Sequence, residues 1–179
     1  MTIPNLFRAA LLPLVLCALL PGAASAQVDK QDNEVAANAS LYTQLKGGTP
    51  NLTVGVHYGR LLHDLTIFGK KIEGLQVGGD ALFSGPLDLT GGFLSLFPMA
   101  RLYLTAKDPR LTPYVGVGAG LSVFKYLDVS FNLAYDINGG VKLFINPTTA
   151  AFVQLDLTGP FTDPGSSSLI LSLGLSVFF

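Results

Sequence analysis

The C-terminal segment of the chain alternates strictly between large apolar side chains and positions that are mostly small. One set consists of Leu171, Leu173, Leu175, Val177 and Phe179, and the residues between them are Ser172, Gly174, Ser176 and Phe178. Successive side chains of a β-strand point to opposite faces, so the pattern predicts a strand with two different faces. A helix repeats every 3.6 residues and does not produce this alternation.

The same period of two recurs through the chain. Apolar residues alternate with glycine and serine over 115–123, and with Phe, Gln, Asp and Thr over 151–158. Weaker alternation predicts strands at 52–58, 75–83, 100–104 and 137–145, and residues 41–45 complete the set as a first strand. The sequence therefore predicts an all-β protein of about eight strands.

The chemistry of the two faces indicates what surrounds the sheet. Charged residues make up 13% of the 179 residues, and the mean hydropathy is +0.48. A soluble sandwich or lipocalin-like barrel is the alternative, but its outward face would carry more charge. In lipid, an open sheet edge would leave backbone groups unpaired, so the sheet must close. We therefore predict a single antiparallel up-and-down transmembrane β-barrel.

The N-terminus has the three parts of a secretory signal peptide. Arg8 precedes an almost wholly apolar run over residues 9–20, and the small residues Ala24 and Ala26 precede a cleavage point at Gln27. An uncleaved anchor is the alternative, although the run is short for a membrane-spanning helix. The predicted organisation is a signal peptide at 1–26, a polar periplasmic leader at 27–37 and a barrel at 38–179. The only cysteine, Cys17, lies in the signal, so no disulfide or Cys-based metal site is expected.

Breaks between the strands predict how the chain turns. Residues 107–109 and 146–148 each contain a proline and form short turns, which are typical of the periplasmic side of such barrels. Residues 84–96 and 158–168 are longer and fall on the opposite side if both termini face the periplasm. The segment 84–96 is apolar for a loop, so it either extends a strand or forms a patch that contacts a partner.

Several of these segments resemble the small outer-membrane barrels of the OmpA/OmpX/OmpW and opacity-porin type. The resemblance is carried by Pro-Tyr-Val-Gly-Val-Gly-Ala-Gly at 113–120, by Gly-Gly-Val-Lys-Leu-Phe-Ile at 139–145 followed by Asn-Pro, and by the terminal Phe179. It implies an outer-membrane location and a C-terminal strand that the outer-membrane assembly machinery reads. The chain lacks Trp, so tyrosines and phenylalanines would form the interface girdle, with Tyr58, Tyr114, Tyr126 and Tyr135 as candidates.

In a barrel this narrow, side chains largely fill the interior. The alternation directs Asp80, Arg101, Lys142 and Asp156 inward, together with the space-filling side chains of Tyr103, Phe144, Phe152 and Phe178. Two acids and two bases can balance as an internal salt-bridge network, which is costly to leave unpaired. The predicted role is therefore structural, as a barrel closed by ion pairs, or that of a narrow porin-like channel.

Two other classes of function remain as alternatives. A surface-binding or adhesion protein would act through its outer loops. A lipid-modifying enzyme would need a triad such as His57 with Ser122 or Ser172 and Asp80, but no Gly-x-Ser-x-Gly signature supports one, and His57 and His63 do not form a convincing metal pair. We expect no enzyme activity and no cofactor. The expected partners are outer-membrane lipids and the assembly machinery, and a net charge of -1 suggests no nucleic acid.

Overall fold

The structure is a closed eight-stranded antiparallel β-barrel. It is a computed structural model that describes residues 33–42, 51–62, 65–67, 70–72, 74–86, 92–104, 106, 108, 110–125, 129–163 and 167–179. The predicted signal peptide at 1–26, including its cleavage site at Ala24, Ala26 and Gln27, lies outside these residues. The all-β barrel predicted from the alternation is confirmed.

Ten strands are described. They are β1 (Asn33–Tyr42), β2 (Asn51–Leu62), β3 (Leu65–Ile67), β4 (Lys70–Ile72), β5 (Leu75–Pro86), β6 (Gly92–Tyr103), β7 (Leu111–Lys125), β8 (Val129–Asn146), β9 (Thr149–Pro160) and β10 (Ser168–Phe178). The barrel runs β1-β10-β9-β8-β7-β6-β5-β2, and β3 and β4 pair separately as a two-stranded sheet. Each barrel strand pairs with its neighbour in the chain, and β1 with β10 closes the ring.

Closure brings the two terminal strands together at one end of the barrel. The Asn33 amide donates to the Phe179 carbonyl (2.8 Å), and the Phe179 amide donates to the Asn33 carbonyl (2.9 Å). The ring therefore has no free edge strand, and each strand has a hydrogen-bonded neighbour on both sides, which is the condition for crossing lipid. The short turn at 146–148 lies at this terminal end, where the Thr148 amide donates to Asn146 Oδ1 (2.9 Å).

The barrel turns its apolar face outward and its polar face inward. Along β8, Phe131, Leu133, Ile137 and Val141 are exposed, whereas Asp136, Asn138 and Lys142 are buried. From Phe131 to Leu143 the strand covers about 40 Å at roughly 3.3 Å per residue. A tilt of roughly 40° reduces that to about 30 Å along the axis, which matches a bilayer core. The outside is therefore a lipid-facing surface.

The start of the barrel differs from the sequence prediction. The strand β1 begins at Asn33, so residues 33–37 are part of the barrel wall and the predicted leader at 27–37 is wrong over that stretch. Glu34 and Ala36 are buried, whereas Val35 is exposed. The stretch 33–37 consists mainly of short side chains and one acid, so its alternation between apolar and polar residues is weak. Residues 43–45 of the predicted first strand lie outside the described residues.

Strand ends and an added hairpin account for the other differences. The segment 84–96 is strand at both ends, since β5 reaches Pro86 and β6 starts at Gly92, so the strand-extension interpretation is confirmed there. The pair β3–β4 was not predicted. It interrupts the connection from β2 to β5 at the terminal end of the barrel, where small outer-membrane barrels usually have short turns.

Candidate functional site in the barrel interior

Seven acidic, basic or histidine side chains are buried in the interior of the described barrel. They are Glu34, His57, Asp80, Arg101, Asp136, Lys142 and Asp156. The four residues predicted to point inward, Asp80, Arg101, Lys142 and Asp156, are among them. Apart from His57, four acids therefore face two bases, so the interior carries an excess of acidic groups.

The salt bridges differ from a simple pairing of the four predicted residues. Arg101 Nη2 donates to Asp80 Oδ2 (2.7 Å), so these two are paired. Lys142 is paired with Glu34, which lies in the stretch predicted to be a periplasmic leader. Within the described residues Asp156 has no cationic partner; it accepts hydrogen bonds from Gln154 Nε2 and from Ser172 Oγ (3.3 Å).

Glu34 accepts three side-chain hydrogen bonds in the interior. Its Oε1 accepts from Lys142 Nζ, and its Oε2 accepts from Gln76 Nε2 (2.8 Å) and Tyr103 Oη (2.6 Å). The carboxylate has no exposed surface. A buried carboxylate with one cationic and two neutral donors is fully compensated, which is the condition for burying a charge at acceptable cost.

Four aromatic rings surround the Lys142 ammonium, and we call them the aromatic cage. The distances from Lys142 Nζ to the ring centroids are 5.2 Å for Tyr103, 5.4 Å for Tyr114, 5.7 Å for Phe152 and 5.0 Å for Phe178. All four lie within the range of about 6 Å at which a ring face attracts a cation. The cage and Lys142 together fill the interior near the terminal end.

Glycines on neighbouring strands make room for the cage. A Cβ atom on Gly174 would collide with the ring of Phe152, and one on Gly140 would collide with the phenol of Tyr114. The glycine-rich face read from the sequence therefore has a packing role: it leaves space into which large side chains from adjacent strands extend. Close packing of this kind excludes water from around the ammonium.

His57 and Asp80 lie directly opposite each other on β2 and β5. His57 Nδ1 contacts Asp80 Oδ1, and His57 Nε2 lies 2.9 Å from Gln76 Oε1. The triad considered from the sequence would need a serine hydroxyl on this histidine. Within the described residues, the two candidate serines are bonded elsewhere: Ser122 to Ser95 and Ser172 to Asp156. His63 lies outside the described residues.

A second polar cluster lies on β8 and β9. Asn138 Nδ2 donates to Asp136 Oδ2 (2.8 Å), and Asn138 is the register partner of Asp156. The other oxygens of Asp136 and Asn138 have no hydrogen-bond partner among the described protein atoms. No group of three or more His, Cys, Asp or Glu side chains within the described part of the chain is arranged to hold a metal ion.

Tyr114 corrects one sequence prediction. It was a candidate for the interface girdle, but its side chain is 1% exposed, and its hydroxyl donates to Gln154 Oε1 (2.6 Å) inside the barrel. Tyr114 lies two and four residues before Gly116 and Gly118, so the alternation places its side chain on the same inward face. Of the other candidates, Tyr58 is exposed on the outer surface, and Tyr126 lies outside the described residues.

Removing the buried hydroxyl should therefore lower stability. We expect Tyr114→Phe to reduce the free energy of unfolding by about 1 kcal/mol, because the Gln154 oxygen loses its strongest donor. Urea unfolding in detergent micelles measures the change. Tyr58→Phe is the matched control, since its hydroxyl donates to Asn33 on the exposed surface (3.1 Å) and should matter less. Equal losses for both variants would contradict the interior assignment.

The C-terminal segment forms the strand that closes the ring. In β10, Leu171, Leu175 and Val177 face outward and are exposed, as is Phe179 just beyond the strand, while Leu173 is half-buried. Their outward direction follows from the alternation that first indicated a strand. The residues expected to carry the assembly signal thus lie on the lipid-facing side of the closing strand.

An eight-stranded antiparallel ring with an apolar outside and a filled polar inside is the architecture of a small membrane-spanning β-barrel. Within the described residues, no helix is both long and apolar enough to cross a membrane. No protein-family model matches the chain, and no curated protein matches its sequence.

Solved structures of small outer-membrane barrels are similar to this one. The N-terminal β-barrel domain of Pseudomonas aeruginosa OprF matches with a TM-score of 0.59 at 16% identity, over 86% of this chain and 100% of that chain. Neisserial surface protein A matches with a TM-score of 0.57 at 14% identity, over 88% and 99%. The Yersinia pestis outer membrane protein Ail, in a phospholipid bilayer nanodisc, matches with 0.51 at 13% identity, over 84% and 100%. The chain therefore has the fold of the small outer-membrane β-barrels.

Proposed function

We propose that the protein is an outer-membrane barrel with a structural role, whose interior is a narrow polar path closed by its own side chains. The observation that supports this most directly is the Lys142 ammonium, which is 1% exposed, paired with Glu34 and surrounded by the aromatic cage. A barrel of eight strands has little interior space, and here charged and aromatic side chains occupy it. The proposed role involves no chemical reaction.

The location and the partners belong to the same proposal. The lipid-facing band of about 30 Å and the likeness to outer-membrane barrels support insertion in the outer membrane, after export by the predicted signal peptide. The exposed apolar residues of β10 support recognition of the closing strand by the assembly machinery. Outer-membrane lipids would cover the apolar band, and both termini would face the periplasm.

A narrow channel is the second candidate, and the excess of acids in the interior favours it. The interior has four buried carboxylates and two buried bases, so it would attract cations if the side chains that close it moved aside. Conductance therefore distinguishes the closed structural barrel from the channel.

Planar-bilayer recording tests the proposal directly. We expect wild-type protein to conduct little or nothing, and we expect Lys142→Ala and Arg101→Ala to raise conductance, because each removes a large side chain that fills the interior. Arg110→Ala is the matched control: this arginine is exposed in the turn before β7, and its loss should leave conductance unchanged.

Each variant must first show that it folds. A closed barrel stays folded in detergent on a gel unless boiled, so two mobilities with and without boiling identify it. If both interior variants fold and remain as silent as the wild type, the narrow path is wrong. If the wild type itself opens large stable pores, the closed structural barrel is wrong.

A further inference from the structure

The groups around the Lys142 ammonium fill the interior, and they also have the composition of a ligand-binding site. Five groups converge on one ammonium: four rings at 5.0 to 5.7 Å and one buried carboxylate. They come from five strands other than that of Lys142, namely Glu34 on β1, Tyr103 on β6, Tyr114 on β7, Phe152 on β9 and Phe178 on β10. The five groups therefore belong to strands other than the one that carries Lys142, and their positions do not depend on the lysine backbone.

The lining selects one class of ligand. Ring faces attract cations through the ring quadrupole, and aromatic cages recognise organic ammonium ligands such as quaternary ammonium ions. A primary ammonium is more strongly hydrated and carries N–H donors, and here the Glu34 carboxylate accepts a hydrogen bond from it. Hard metal ions such as Ca²⁺ need six to eight oxygen ligands. Around Lys142 Nζ the oxygen donors come from the single carboxylate of Glu34, whose second oxygen is already bonded to Gln76 and Tyr103. The chemistry therefore favours an alkylammonium ion over a metal ion.

The Glu34 carboxylate is held in place without Lys142. Gln76 and Tyr103 both donate to its Oε2, and Gln76 Oε1 is in turn within hydrogen-bond distance of His57 (2.9 Å). Only Oε1 bonds to the ammonium. Removal of the lysine side chain would leave an oriented carboxylate and a cavity of the shape of the missing alkyl chain and ammonium.

We propose that the aromatic cage and Glu34 form an organic-ammonium site that Lys142 fills as an internal ligand, and that the site binds a primary alkylammonium ion once the lysine side chain is removed. The site goes beyond the structural role proposed above, because it can exist in a barrel that never conducts. Its test therefore uses binding in detergent solution and not conductance, so the two proposals can fail separately.

The experiment compares Lys142→Ala with wild-type protein in detergent micelles. n-Propylammonium reproduces the part of the lysine side chain that the substitution deletes, and 1-propanol is a neutral molecule of nearly the same shape. We expect propylammonium to raise the thermal unfolding midpoint of Lys142→Ala in a saturable way, with an affinity at least about tenfold above that of propanol, which corresponds to about 1.4 kcal/mol. Wild-type protein should show no such shift, because its cage is occupied.

Two further variants separate the cage from non-specific binding. Glu34→Gln in the Lys142→Ala background should weaken propylammonium binding by at least about tenfold, and Asp108→Ala in that background should leave it unchanged, since Asp108 lies in an exposed turn. If Lys142→Ala does not fold alone, the yield of boiling-sensitive barrel on refolding is measured with each compound. Equal effects of propylammonium and propanol, or an equal shift in wild type, would overturn the proposal. A rescue by propylammonium alone would support it.

Discussion

Gly78→Ala is expected to destabilise the folded barrel strongly. Gly78 lies on β5 opposite Gly59 of β2, and a Cβ atom there would lie well inside van der Waals contact with the Tyr58 carbonyl group and the Gly59 Cα. These are backbone atoms of the hydrogen-bonded ladder, so they cannot move aside as a side chain can. We expect a loss of about 3 kcal/mol or more, at the upper end for overpacked sites.

The neighbouring residue provides the control. At Gly79 the nearest atom to an added Cβ is the Phe97 carbonyl oxygen at 3.5 Å, which is an ordinary contact. Gly79→Ala should therefore fold as well as wild type or slightly better, because alanine reduces the freedom of the unfolded chain. The folded fraction after refolding, from gel mobility with and without boiling, measures both variants. A Gly78→Ala protein that folds as completely as Gly79→Ala would refute the close approach of β2 and β5.

Glu34→Gln should cause the largest loss among the interior ionic groups. The substitution keeps the shape of the side chain but removes the charge that compensates the Lys142 ammonium, and both partners are buried. Removing one member of a buried ion pair typically costs about 3 to 5 kcal/mol. Urea unfolding in micelles should show a loss of this size.

A double variant distinguishes loss of the pair from loss of packing. Glu34→Gln combined with Lys142→Met leaves no uncompensated charge, and we expect it to regain much of the stability, because neutral replacements of buried pairs are often tolerated. Full additivity of the two single losses would show that the groups do not interact.

The exposed pair of Asp108 and Arg110 is the control for the ion-pair prediction. Hydrogen bonds from the Arg110 side chain and backbone hold the pKa of the Asp108 carboxyl below its usual range. Any stability from this pair is present above the ordinary carboxyl pKa and is lost as the pH falls through the lowered one. Because the pair is exposed, Asp108→Ala should change the unfolding free energy little at neutral pH. A loss as large as that of Glu34→Gln would mean that burial does not govern these pairs.

The closed barrel could be predicted because its signals are local. Alternate residues of a strand lie on the same face of the sheet. Arg101 and Lys142 could therefore be predicted to point inward without knowledge of their neighbours in space. Tyr114 follows the same rule. It lies two residues before Gly116 and so shares its inward face, and the expectation that it belongs to an aromatic girdle at the membrane interface is wrong. The segment at 33–37 was assigned to a leader because its side chains are too small and polar for an obvious strand.

The alternation does not predict which interior residues form ion pairs or ring contacts with each other. Lys142 and Glu34 are 108 residues apart in the chain and meet only because closure places β1 next to β10. Arg101 bonds to Asp80 on the adjacent strand and lies 5.5 Å from the ring centre of Tyr114 on the other side. These contacts depend on the stagger between strands, which a sequence pattern of period two does not contain.

The sequence by itself determined the strands, their two faces, the need for closure in lipid and the filled interior, because each follows from alternation and from the cost of unpaired backbone groups. Only the tertiary structure decided that Lys142 lies in an aromatic cage with Glu34, that His57 contacts Asp80, and that Asp136 and Asp156 have no cationic partner among the described residues. The reason is that strand register, closure of the ring and the space left by glycines set each of these distances, and alternation along a strand fixes none of the three.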